Sequence, residues 1–296
     1  MTAQIISGNE VAKSIRAELK EEVSKMKAGG VTPGLVVVIV GEDPASQVYV
    51  RKKGEACEEL GIHSETIRLP AETKESELLS LIDKYNADKK FDGILVQLPL
   101  PKHISEEKVL LRIDPSKDVD GFHPINVGKM VVGAESYLPC TPAGIQELLV
   151  RSGNDPKGKH VVVLGRSNIV GKPITNILLQ KAPGADATVT ICHSRTQDLP
   201  RFSRQADILI AAMGVPNFVK GDMVKDGVVV IDVGVNRIDD PAAKNGTRLV
   251  GDVDFESVKA KAKAITPVPG GVGPMTITML MKNTVKAAKI HHAWKG

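Results

Sequence analysis

The chain has 296 residues, with 39 Lys and Arg against 35 Asp and Glu, a formal net charge of +4. That charge is too small for a nucleic-acid coat or a polybasic membrane anchor, and 3% aromatic residues leave no stacking platform for a single strand. Hydrophobic residues at 42% and charged residues at 25% exclude a disordered or collagen-like chain. The length suits one large or two modest domains whose core needs neither disulfide nor metal. The longest apolar runs, such as Leu35 to Val40, fall far below the ~18 residues of a membrane span. The opening MTAQIISGNE lacks the basic and apolar regions of a secretory signal. Cys57, Cys140 and Cys192 form neither zinc spacing nor a disulfide framework, so a reducing, cytoplasmic setting is expected. The seven histidines show no metal spacing, and no metal site is expected.

The first predicted element is a helix. Ser7 to Glu10 fits a capping box, Val11, Ile15, Leu19, Val23 and Met26 follow at helical spacing, and Gly29-Gly30 stops the run. Leu35 to Val40 predicts a buried strand. Asp43-Pro44 then supplies an N-cap and first-turn residue for a helix running through Tyr49 and Lys53 to Gly61. Gly93 to Leu98 predicts a second buried strand, ending at Pro99.

Beyond residue 140 the pattern becomes strand, glycine turn, helix: Lys159 to Leu164, Gly165 to Gly171, then a helix through Ile174. Short apolar strands follow at Ala187 to Cys192, Asp207 to Met213, Gly227 to Val233 and Ala264 to Val268. Strands alternating with helical connections imply parallel βαβ units. Thr276 to Ala293 predicts a last helix, and Asp239 to Lys244 a loop without an assigned role.

The stretch VVVLGRSNIVGKP resembles a dinucleotide turn, although Ser167 stands where the second glycine of G-x-G-x-x-G would be. A strand ending in a tight turn before a helix N-terminus aims backbone N–H groups at a phosphate. A plain glycine-rich connection would look similar. The strand ending at Cys192 runs into His193-Ser194-Arg195-Thr196, without the acidic residue that would hold a ribose 2′-hydroxyl. A hydroxyl and a guanidinium there, with Arg166 in reach, suit a 2′-phosphate and favour NADP over NAD.

Tyr49 and Lys53 are four residues apart and share a helix face, a pair that taken alone is more often surface decoration than chemistry. Gln97 ends a strand at QLPLP. Asp118 and Asp120 sit in PSKDVDG, where an aspartate is usually a turn or cap residue. Cys140 reads as a buried structural thiol rather than a nucleophile.

Seven runs in order along the chain change the weight of these fragments: SQVYVRKKGEACEELGI (46–62), DGILVQLPLP (92–101), PSKDVDGFHPINVGK (115–129), LPCTP (138–142), GRSNIVGKP (165–173), VIDVGVN (230–236) and TPVPGGVGPMT (266–276). Through them the sequence resembles the bifunctional methylenetetrahydrofolate dehydrogenase/methenyltetrahydrofolate cyclohydrolase (FolD) family. The resemblance implies an α/β fold of two domains with a cleft between them. A folate-binding catalytic domain would comprise residues 1–140 and 276–296. A Rossmann-like NADP-binding domain with a mostly parallel sheet would comprise 141–275. It implies NADP-dependent oxidation of 5,10-methylenetetrahydrofolate, then hydrolysis of the methenyl product to 10-formyltetrahydrofolate in the same site.

By position in the matching runs, Lys53 becomes the catalytic lysine. Tyr49 would orient the folate, Gln97 would hold Lys53 or the attacking water, and Asp120 would accept hydrogen bonds from the pterin. Ser46, Pro269, Gly270 and Gly271 would also border the substrate. Gly165, Arg166, Ser167, Ser194, Val235, Gly273 and Thr276 would contact NADP. Val235 departs from the isoleucine common in the family, a change that a backbone contact tolerates. The resemblance further implies a homodimer, tetrahydrofolate derivatives (polyglutamated forms among them) as partners, and one-carbon supply to purine, histidine and methionine biosynthesis. The competing readings are a dehydrogenase with little hydrolase activity, a silent NADP-binding regulator, and a shikimate-type dehydrogenase. The intact Tyr49, Lys53 and Gln97 argue against the first two. The PGGVGPMT run argues against the third.

Overall fold

The computed structural model describes residues 2–243 and 246–294. The chain opens with β1 (Gln4–Ile5) and α1 (Gly8–Ala28). The Ser7 hydroxyl accepts the Glu10 N–H at 3.3 Å, and Ile15, Leu19, Val23 and Met26 are buried along one face of the helix. β2 (Gly34–Val40) follows, with all seven residues buried, as a parallel strand covered on both faces requires. Asp43 caps α2 (Pro44–Leu60) by accepting the Ser46 N–H at 2.8 Å, and Gly61 ends it in the left-handed conformation at φ 75°. β3 (His63–Leu69), α3 (Glu75–Ala87), β4 (Gly93–Val96), α4 (Glu106–Arg112) and α5 (Pro124–Val131) complete the first half. β4 stops at Val96, two residues before the expected end.

The second half runs α6 (Cys140–Arg151), β5 (His160–Leu164), α7 (Gly171–Leu178), β6 (Thr188–Cys192), α8 (Leu199–Ser203), β7 (Ile208–Ala211), β8 (Val229–Asp232), β9 (Asn236–Asp239), β10 (Thr247–Val250), α9 (Phe255–Lys259) and β11 (Ala264–Ile265), and closes with α10 (Val272–His291). β9 and β10 pair as an antiparallel hairpin; of the loop expected over 239–244, Asp239 is the last residue of β9, residues 240–243 lie outside any strand, and Lys244 lies outside the described residues.

Two compact units result: residues 1–13 with 141–276, and residues 14–140 with 277–296. In the first, the described strands form a parallel sheet in the order β1-β11-β8-β7-β5-β6. From β5 the chain first adds β6 on one side and then β7 on the other, so the connections reverse direction at β5. Ligands of open α/β sheets bind at the carboxyl ends of strands beside such a reversal. The core packs Val162, Leu164, Leu209 and Val230 of the strands against Val219, Val224, Val258 and Ala262.

In the second unit, β3, β2 and β4 form a parallel sheet with β2 in the centre. Leu78, Ile82 and Tyr85 of α3 and Val109 of α4 pack on Val36, Val38, Ile94 and Val96.

One boundary expectation is corrected. Residues 1–140 were assigned to the catalytic domain, yet the N-terminal strand belongs to the nucleotide-type sheet. Gln4 and Ile5 pair with Ala264 and Ile265, and the Ile6 N–H donates to the Ile265 carbonyl at 2.9 Å. Two exposed residues of strand carry no hydrophobic pattern, so their partner was invisible in the sequence. The last helix begins at Val272 rather than Thr276, because Gly273 and Pro274 fall in its first turn, where a proline costs no hydrogen bond.

Candidate active site and dinucleotide turn

In the unit built on β2, α2 presents Ser46, Tyr49 and Lys53 at i, i+3 and i+7, on one face. Tyr49 is 40% exposed and Lys53 only 8%, so the tyrosine reaches solvent while the lysine is buried. Lys53 Nζ donates to Gln97 Oε1 at 2.8 Å. Gln97 stands just past β4, and its Nε2 donates to the Leu98 carbonyl at 2.7 Å. Ser46 is buried, and its hydroxyl donates to the same carbonyl at 3.4 Å. Helix face and strand end are thereby joined through one peptide.

Asp120 and Cys140 complete the cluster. Burial pushes the Lys53 pKa below the usual lysine value, and the Asp120 carboxylate opposes that shift. Burial raises Asp120, against the pull of Lys53 and a hydrogen bond from the Cys140 thiol. Cys140 itself is held well above an ordinary thiol by burial, with Asp120 adding to the effect, and is therefore no nucleophile.

The segment bearing Asp120 is fixed on both sides. Asp118, expected to be a turn or cap residue, accepts N–H groups of His123 at 2.8 Å and Phe122 at 3.4 Å, and the Asn126 amide at 2.9 Å. Burial raises its pKa to about 6 despite those donors. From α10, the buried Asn283 donates to the Val119 carbonyl at 2.8 Å and the Leu138 carbonyl at 2.9 Å. The sequence reading missed Asn283. A lone asparagine in an apolar helix was its only signal.

In the other unit, the turn after β5 sits at the carboxyl end of the strand where the connections reverse. Gly165 has φ 120°, and a Cβ there would lie 2.1 Å from the Ala212 carbonyl oxygen, so only glycine lets the turn cross the end of β7. Arg166, Ser167, Asn168 and Ile169 face solvent. The Ser167 hydroxyl accepts from the N–H groups of Val170 at 3.1 Å and Gly171 at 3.3 Å, closing the turn from inside where a second glycine was expected. Ser194 is exposed after β6, in a turn closed by His193 and Thr196: the His193 N–H donates to Thr196 Oγ1 at 2.9 Å. Val235 is 54% exposed after β8.

The run from Pro269 to Thr276 belongs to the same unit. The Gly270 carbonyl accepts the Gly8 N–H at 2.9 Å, and the hydroxyls of Thr276 and Thr141 bond at 2.8 Å. Gly271 is buried, whereas Gly273 remains partly exposed. The expected residues thus fall into two groups, one in each unit. A glycine turn at the reversal point, with exposed Arg166 and Ser194 on adjacent loops, fits a dinucleotide carrying an extra phosphate.

Residues 6–120 match the tetrahydrofolate dehydrogenase/cyclohydrolase catalytic domain, and residues 139–292 match the NAD(P)-binding domain of the same family. The bifunctional protein FolD of Syntrophobacter fumaroxidans is 61% identical over 294 residues, covering 99% of both chains. Among solved structures, the Campylobacter jejuni FolD methylenetetrahydrofolate dehydrogenase/cyclohydrolase superposes with a TM-score of 0.92 at 49% identity, over 97% of this chain and 99% of that one. The Trypanosoma brucei FolD enzyme, solved with NADP and an inhibitor, gives a TM-score of 0.92 at 40% identity over the whole of both chains. By sequence and fold, the chain belongs to the tetrahydrofolate dehydrogenase/cyclohydrolase family.

Proposed function

We infer that this protein is a bifunctional enzyme that oxidises 5,10-methylenetetrahydrofolate with NADP and hydrolyses the methenyl product to 10-formyltetrahydrofolate. NADP accepts the hydride. That transfer needs no protein acid; it needs the methylene carbon held against the nicotinamide with water excluded. Hydrolysis needs more. One proton must leave the attacking water, and a second must pass from the resulting carbinol hydroxyl to the departing ring nitrogen. A lysine amine of lowered pKa can take and return such protons.

The observation that carries this reading is the buried Lys53 amine facing the neutral amide oxygen of Gln97 at 2.8 Å. A neutral acceptor orients the amine without fixing it as an ion pair. Tyr49, on the same face and exposed, is suited to lie along the folate ring. Asp120 is suited to accept the pterin N–H groups, with Ser46 and the Pro269–Gly271 run as further substrate contacts. Arg166 and Ser194 would take the 2′-phosphate. Gly165, Ser167, Val235, Gly273 and Thr276 would line the rest of the cofactor. The catalytic domain would comprise the β2 unit, and the NADP domain the β5 unit.

A homodimer is supported by β6, which stands at one end of its sheet with Ile191 36% exposed, an edge that a second copy can cover. No described helix is long and apolar enough to cross a membrane. A cytoplasmic setting, polyglutamated substrates and one-carbon supply to purine, histidine and methionine synthesis follow from the family reading.

Lys53→Ala tests the assignment. Methenyl hydrolysis should fall by about 10²–10⁴ while NADP binding persists; full hydrolysis by that variant would contradict the role.

A further inference from the structure

We propose that Asp252, braced by Asp232, is a positioning residue for the NADP site: it sets the two loops that carry Met213, Gly214, Val235 and Asn236 in the shape that receives the cofactor. The proposal rests on the NADP-binding reading and assigns a role to a residue pair outside the expected site.

Asp252 is fully buried, yet it makes only polar bonds to loops at the carboxyl edge of the sheet. Its Oδ2 accepts the Met213 and Gly214 N–H groups at 2.6 and 2.8 Å, directly after β7. Its Oδ1 accepts the Asn236 Nδ2 at 2.8 Å, directly after the turn that follows β8. One carboxylate therefore bridges the loops of two adjacent strands. Asp232, the last residue of β8, supports it from below. Its Oδ1 accepts the N–H groups of Gly234 at 3.0 Å and of Asp252 at 2.9 Å, and its Oδ2 accepts that of Val253 at 3.0 Å.

Val235, 54% exposed, stands between Gly234, tied to Asp232, and Asn236, tied to Asp252. Met213 and Gly214 follow Ala212, whose carbonyl lies against Gly165 of the dinucleotide turn. The pair thus reaches the cofactor surface from two sides. The β9–β10 hairpin explains how Asp252 arrives there: Val250 pairs with Asn236, which returns the chain to the end of β8 two residues before Asp252.

The approach is close enough to restrict sequence. A Cβ on Gly251 would come 1.7 Å from Asp232 Oδ2, and one on Gly234 would come 2.2 Å from Asp252 Oδ1. Every carboxylate oxygen in the pair accepts at least one N–H donor, so the two side chains serve as loop anchors rather than metal ligands; burial, with the Asp252 charge beside it, raises the Asp232 pKa to about 7. Two buried carboxylates side by side are a costly way to fill a core. An arrangement of that cost, at the loops beside the dinucleotide turn, points to the shape of those loops as its use.

The test compares Asp252→Ala and Asp252→Asn by calorimetric titration with NADP, alongside methenyl hydrolysis assayed without cofactor. Hydrolysis is assigned to Lys53 and Gln97 of the other unit, and the circular dichroism and thermal transition of each variant report whether the chain is folded. Asp252→Ala should weaken NADP by about tenfold or more, the loss expected when two loop anchors go. Asp252→Asn should recover most of the affinity: its oxygen keeps the Met213 and Gly214 bonds, and Asn236 can turn its amide to accept from the new Nδ2. Both should hydrolyse methenyltetrahydrofolate within about twofold of the wild type. Wild-type NADP affinity in folded Asp252→Ala would overturn the proposal. If Asp252→Ala loses hydrolysis as well, Asn236→Ala decides, because it removes only the bond to the Val235 turn; reduced NADP affinity with normal hydrolysis supports the proposal, and unchanged affinity overturns it. No NADP binding by the wild type would instead overturn the cofactor reading itself, and with it this role.

Discussion

Lys53 Nζ donates to Gln97 Oε1 at 2.8 Å, while Gln97 Nε2 donates to the Leu98 carbonyl at 2.7 Å. The second bond decides which end of the amide faces the lysine. Burial lowers the Lys53 pKa, so its neutral fraction grows as pH rises through a value below the usual lysine range. Methenyl hydrolysis should rise over that same interval. Gln97→Glu places a carboxylate against the amine and favours the ammonium. The rising limb should then move to higher pH by about one unit or more, with lower activity near neutrality. A rate profile against pH for both proteins checks this, and coincident profiles would contradict it.

Asp118 holds the segment of Asp120 and titrates at about 6 in the folded chain. That is above the ordinary aspartate value, so the folded state keeps a proton that the unfolded state has released. Its contribution to stability is full below about pH 4 and is lost as pH rises through about 6. Asp118→Asn can retain the His123 and Asn126 bonds but cannot titrate. Urea denaturation at several pH values should show the wild type losing up to about 3 kcal/mol relative to this variant between pH 4 and 7. A constant difference across that range would argue against the shift.

Arg166 and Ser194 are exposed on neighbouring loops beside the carboxyl end of β5. If they hold the 2′-phosphate, Arg166→Ala should weaken NADP by about 1.5–3 kcal/mol, the range for a hydrogen bond to a charged group, and leave NAD nearly unchanged. Ser194→Ala should act in the same direction more weakly. Titration with both cofactors tests this. Equal losses for NADP and NAD would assign these residues to the shared part of the cofactor.

Gly251 and Gly128 should respond in opposite directions to alanine. At Gly251 the new methyl group meets Asp232 Oδ2 at 1.7 Å, and the segment must shift. Destabilisation of about 1–3 kcal/mol or more is expected. At Gly128, inside α5, a Cβ meets nothing within 4 Å, and alanine should stabilise by roughly 0.5–1 kcal/mol. Chemical denaturation of the two variants measures both changes.

What was legible in the sequence follows from where each signal lives. β2, β5, β7 and β8 are buried on both faces and read as apolar runs. The Asp43 cap and the Gly61 stop of α2 are local, so they were visible, and with them the shared face of Tyr49 and Lys53. β3 was not: HSETIRL is an edge strand, mostly exposed, with no run to notice. The pairing of β1 with β11 was hidden because its partner lies some 260 residues away. Asp232, Asp252 and Asn283 escaped notice for the same reason, since each acts on segments distant in the chain and looks like an ordinary polar residue in its own. For the two aspartates the nearest signals were Gly251, adjacent to Asp252, and Gly234, two residues after Asp232, which mark close approach without saying to what.

The central claim is that one chain carries both activities. Purified protein mixed with 5,10-methylenetetrahydrofolate and NADP should form reduced NADP at a rate matched by 10-formyltetrahydrofolate, with little methenyltetrahydrofolate accumulating. Reduced NADP with methenyltetrahydrofolate persisting at the rate of the uncatalysed hydrolysis would contradict the assignment of Lys53. No reduction in protein shown to be folded would contradict the account as a whole.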